Sequence, residues 1–246
     1  MPTQEPQRVE SSLAVWSRLR RAAVLSLAVH FVAGLAMAVV LRHGLETNPD
    51  LSSRLRFVVE HNVEWTLAWL TWHAAALSIL WFFICFEAAH SVEESKRGVR
   101  RLAVILVAAA IVPDLIAESI EIGVLPALAR DAVNASEPAH STHARELYGT
   151  IHRIAVMMTG YLANGLYTLA TVLAVWATRR LYAPWIWSAG LAVGVIGFAL
   201  SASALADSVA GLFWANAGLV PAIVVWQVGV AVHASKRRHR QIPKNQ

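Results

Sequence analysis

The sequence predicts an all-α, polytopic membrane protein: a bundle of six transmembrane helices with both termini cytoplasmic. Three observations carry that expectation. Of 246 residues, 57% are hydrophobic and only 15% are charged, too apolar a balance for a soluble domain of this size. Six segments reach the ~20 apolar residues that a helix needs to cross the hydrocarbon core at about 1.5 Å per residue. Basic residues gather at alternate ends of those segments, as the positive-inside rule requires.

Residues 1-21 read as a cytoplasmic tail opening on the polar, disordered stretch MPTQEPQ. The first span, 22-41, follows Arg18, Arg20 and Arg21 and contains Ala36-Met37-Ala38, a sequence with the look of a signal-peptide cleavage site. Apolarity continues through Val39, Val40 and Leu41, so the segment reads as an uncleaved helix. Spans two to six are 63-86, 102-124, 150-177, 184-206 and 209-233, which makes 22-233 the transmembrane domain. The basic segment 234-246 is a second cytoplasmic tail that ends in QIPKNQ.

Lys96, Arg97, Arg100, Arg101, Arg179, Arg180, Lys236, Arg237, Arg238 and Arg240 flank the same side as Arg18, Arg20 and Arg21. That side is cytoplasmic, and the protein is expected as a multi-pass component of the cell inner membrane. The connections 42-62 and 125-149 lie outside. The lipid bilayer is the implied partner. The net charge of +5 sits in short collars at helix ends, so no nucleic-acid partner is needed to explain it. Trp65, Trp185, Trp187 and Trp214 fall near the interfaces and read as anchors, while Trp69 and Trp72 lie deeper. Gly and Ala in GYLANG and GLAVGVIG allow close approach between helices.

Several chemistries are excluded. The single Cys85 permits neither an internal disulfide nor a Cys-based metal site. No span carries a lysine for a retinal Schiff base. Walker, HExxH, GxSxG and DDxxD patterns are absent.

The informative stretch is AAIVPDLIAESIEIGVLPAL in span three, which carries Asp114, Glu118 and Glu121. A carboxylate at a membrane centre costs at least ~2.5 kcal/mol, so it must be protonated, paired, cation-bound or hydrated. Spacings of i, i+4 and i+7 put the three on one helical face. Helical rise places His30, His73 and Asp114 at a common depth of ~15 Å, with Glu118 at ~9 Å and Glu121 at ~4 Å from the outer end. His152 lies at ~3 Å, Asn216 at ~9 Å and Asn164 at ~21 Å.

The leading expectation is a site that binds a cation, a proton or a divalent metal, for transport or proton relay. His30, His73, Asp114 and Glu118 would be its ligands, with Glu121, His152, Asn164 and Asn216 lining the route. One rival is a membrane metalloenzyme or electron carrier using the same residues, with a b-type haem held between His30 and His73. Another is a structural or regulatory membrane subunit. Glu121 is shallow enough to pair with Arg153 or Arg145. Pro113 and Pro221 would break the third and sixth spans at matching depths, the mark of an inverted repeat. A bundle this small is a candidate homo-oligomer acting on a small ion or molecule.

Overall fold

The computed structural model describes residues 5–91 and 94–240, with side chains from 13 to 91 and from 94 to 238. Among the described residues, the regular structure is helical throughout. Helix α1 is Glu5–Val39, α2 Leu51–Glu60, α3 Asn62–Ala89 and α4 Arg97–Ser119. Then come α5, Leu125–Asn134, α6, Pro138–Val156, α7, Asn164–Thr178, α8, Pro184–Leu205, and α9, Val209–Arg240. Two π-helical segments, Ile120–Val124 and Met157–Ala163, join α4 to α5 and α6 to α7. Six stretches are long and apolar enough to cross a membrane: Leu13–His43, Asn62–Ala89, Glu94–Asn134, Pro138–Thr178, Pro184–Leu205 and Val209–Arg238. Exposed Phe31, Val63, Ile105, Val112, Val195 and Trp214 give the bundle the apolar exterior that contact with a bilayer demands.

The long helices close into a ring in chain order. Helix α1 packs on α3, α3 on α4, α4 on α7, α7 on α8, α8 on α9, and α9 back on α1. The tightest seam is predictable from sequence: a Cβ at Gly190, Gly194 or Gly197 of α8 would collide with Val175, Val172 or Thr168 of α7. Small residues there let the two backbones approach.

Three features differ from the sequence reading. The segment 5–21, expected as tail, belongs to α1, and Leu19 is fully buried. At the other terminus α9 runs to Arg240 with Ala234 buried, while residues 1–4 and the QIPKNQ end lie outside the described residues. The connections 42–62 and 125–149 are folded: α2, α5 and α6 build a second core at the end opposite the termini, from Leu41, Leu55, Val58, Trp65, Trp69, Leu125, Ala129 and Tyr148. Asp50 starts α2 by accepting from the backbone N–H groups of Ser52 and Ser53. Pro138 at the first turn starts α6, where its missing N–H costs nothing.

Neither expected break occurs where it was placed. Pro113 and Pro221 both lie within continuous α-helix, so the pair of broken helices proposed for spans three and six is not seen. The irregular turns fall in spans three and four instead. The first has a local cause. Pro126 has no N–H to offer Ile122, the α-helical ladder fails there, and Leu125 N–H bonds five residues back to Ile120 O.

At the termini end the interior is filled by rings. Phe82 of α3 meets Trp226 of α9 at 5.4 Å, and Phe83 and Phe86 lie within 6.3 Å of the same indole. Below them, His90 Nδ1 donates to Phe86 O at 2.6 Å and Tyr182 Oη donates to His90 Nε2 at 3.1 Å. Burial, reinforced by Arg100, His233 and Arg237 nearby, pushes His90 down to about 4 despite its Phe86 acceptor, so it stays neutral at physiological pH.

Candidate functional site

The polar interior lies in the half opposite the termini, along the helical face that bears Asp114 and Glu118 of α4 and Glu121 just beyond it. All three are buried. Glu121 opens the first π segment, and His152 of α6 donates from Nδ1 to its Oε1 at 2.8 Å. The other ring nitrogen, Nε2, lies 2.9 Å from Glu46 Oε1 but off the N–H axis. One imidazole thus bridges two carboxylates. Tyr148 stacks on it at 6.1 Å.

Trp65 explains how the π turn is tolerated. Its indole Nε1 donates to Glu121 O at 2.7 Å, supplying a partner for a carbonyl in a disrupted stretch of the ladder. A buried polar group without a partner costs ~1–3 kcal/mol. Trp65 is therefore no interfacial anchor: it is fully buried, and the sequence position near a helix end did not reveal the direction of its ring.

One turn deeper, Glu118 Oε2 approaches His73 Nδ1 of α3 to 2.6 Å, also off the N–H axis. One turn deeper again, Asp114 accepts from Thr159 Oγ1 at 2.5 Å and from Tyr167 Oη at 3.1 Å. Thr159 belongs to the second π segment, in which Asn164 N–H reaches five residues back to Thr159 O. Both π segments thus carry a residue of the ladder, a common place for such distortions.

The remaining sequence candidates lie elsewhere. His30 Nδ1 donates to Ser26 O of its own helix at 2.7 Å, and Ser26 Oγ accepts from Gln227 Nε2 at 2.8 Å and Ser78 Oγ at 3.3 Å. The shared depth of His30, His73 and Asp114 does not become a shared site, because His30 points to the α1, α3 and α9 cluster while His73 points to α4. Among the described residues no three His, Cys, Asp or Glu side chains gather closely enough to hold a metal ion. The His30 and His73 pairing for a b-type haem has no geometric support either, since the two rings serve separate networks. Asn164 donates to Gly197 O at 2.7 Å and Ser201 Oγ at 2.9 Å, fastening α7 to α8. Asn216 is half-buried on α9 and joins none of these bonds. Glu121 pairs with His152 rather than with an arginine: Arg153 pairs with Asp207 at 2.9 Å, and Arg145 donates to Ser52 Oγ.

Sequence reasoning missed Glu46, Thr159 and Tyr167. Glu46 follows the first span in a connecting segment, where no periodicity marks it. Thr159 next to Gly160 inside an apolar span was the one available signal. Glu46 also yields a pH prediction. Burial pushes its carboxyl up, but the bond and charge of His152 and the charge of Arg54 outweigh that, leaving it below its ordinary 4.5. A depressed acid stabilises the fold fully above its ordinary value and loses that contribution as pH falls through the folded one. Thermal unfolding of Glu46→Gln is expected to lie below wild type at pH 7, with the difference closing below about pH 4.

The chain matches no family model, no curated protein and no solved structure.

Proposed function

We propose that the protein takes up protons at the end opposite its termini and passes them through Glu46, His152, Glu121, Glu118 and His73 to Asp114, in service of transport across the cell inner membrane with both termini cytoplasmic. One observation carries this reading. Among the described residues, the ladder's bonds and close contacts run to imidazole, hydroxyl and indole groups and none to Arg or Lys, Arg54 acting on Glu46 through its charge alone. Imidazole and carboxyl groups exchange protons near neutral pH, whereas a guanidinium holds its proton and would lock the acid as an ion pair. Ladders of this composition are the usual proton routes of membrane proteins. The proton is favoured over a divalent cation because, among the described residues, no three His, Cys, Asp or Glu side chains gather as ligands for a metal ion.

Proteoliposomes loaded with a pH-sensitive dye and given a pH gradient, with equal potassium and valinomycin holding the potential at zero, test the proposal. Wild-type protein is expected to dissipate an imposed pH gradient faster than protein-free vesicles. Asp114→Asn is expected to abolish that difference, and His30→Ala, outside the ladder, to preserve it. Equal flux from Asp114→Asn and wild type would overturn the proposal.

A further inference from the structure

Two contacts tie α3 to α4 and the π segment that follows it in the polar half: Trp65 Nε1 with Glu121 O at 2.7 Å, and His73 Nδ1 with Glu118 Oε2 at 2.6 Å. Trp69 and Trp72 fall between them on α3. Among the described residues, both buried indole nitrogens meet no protein acceptor, as is true of Tyr148 Oη, and Glu118 Oε2 and Glu121 Oε2 receive no in-line hydrogen bond. Trp65, Trp69 and Tyr148 belong to one buried cluster, with Trp72, Ile120, Ile122 and Ile151 packed against it. Donors and acceptors of matching kind therefore share one region without reaching each other.

The chemistry narrows what joins them. Indole N–H groups only donate, so a cation finds no ligand there. Carboxylates repel an anion. An apolar filler leaves every one of these groups unsatisfied, contrary to the rule that buried polar atoms are paired. Water accepts from the indoles, donates to the carboxylates, and is the ordinary occupant of polar interior sites of this kind.

We propose that Trp69 Nε1, Trp72 Nε1 and Tyr148 Oη line a buried file of water that joins Glu121 to Glu118. As a step of the proton route it rests on the relay reading; as a hydrated chamber it stands by itself. The ring-filled interior at the other end, with Phe82, Phe83 and Trp226 almost fully buried, gives a comparison in the same molecule.

Hydroxyl-radical footprinting by synchrotron X-rays reads this directly, since radicals form from internal water and label adjacent rings. The probe is water itself, and the sample is the full-length chain in lipid nanodiscs. Trp69 and Tyr148 are expected to be oxidised severalfold faster than Phe82 and Trp226, despite comparable burial, with Trp214, 72% exposed, as the open reference. Trp69 and Tyr148 as unreactive as Trp226 would overturn the water file, even if the vesicles conduct protons. Labelled Trp69 and Tyr148 in a protein that carries no flux would sustain the file and sink the relay.

Discussion

Glu118→Gln is expected to slow proton flux into proteoliposomes by about 100-fold, the scale of losing a positioned proton-transfer group. Glutamine keeps the shape of the side chain and offers its amide to the same neighbours, so the bundle should fold and its melting temperature should change little. What it loses is the exchangeable proton. Glu118 sits between the Glu121 turn and Asp114 on one helical face and contacts His73 at 2.6 Å, so the proposed route passes through it. Glu118→Asp, shorter by one methylene, is expected to recover part of the flux by keeping the acid. Flux within twofold of wild type in the glutamine variant would show that protons bypass this carboxyl.

The largest effect on stability is expected at His152. Its ring stands between Glu121 and Glu46, at 2.8 and 2.9 Å, and it is almost fully buried. His152→Ala removes the one side chain among the described residues that hydrogen-bonds to the Glu121 carboxyl, and leaves a cavity beside Tyr148. Breaking a buried charged pair by deleting one partner costs ~3–5 kcal/mol, because the survivor stays buried and uncompensated. Chemical denaturation in a mild detergent should show a loss of that order. Adding Glu121→Gln to His152→Ala should recover part of it, since the neutral amide no longer needs the imidazole. A single-variant loss under ~1 kcal/mol, typical of an exposed pair, would contradict the buried bridge.

Helix number and acid spacing were legible in the sequence because both depend on rise and period along one helix. Six apolar stretches gave six long helices, and Asp114, Glu118 and Glu121 did fall on one buried face. Facing direction was not legible. His30 and His73 share a depth, but the rotation of α1 turns His30 to Ser26 and away from α4, and that rotation is set by packing in the closed ring. Glu46 escaped notice because it reaches the ladder from a connecting segment. The folding of 42–62 and 125–149 into a second core was hidden for a similar reason: their apolar residues are few and scattered, and bury against each other and against the ends of α1 and α3. The π turns arise from ladder failures that Pro126 and Gly160 hint at without specifying.

The rings of Phe82, Phe83, Phe86 and Trp226 have a kinetic consequence. They fill the bundle interior toward the termini end, so under the proposed relay the path would open to one compartment only in this conformation. An open pore would carry ions at rates near free diffusion and vary gently with temperature. If the proposed relay is right, the aromatic stack must rearrange at each cycle, so turnover should be slow, saturate with driving force, and rise steeply on warming.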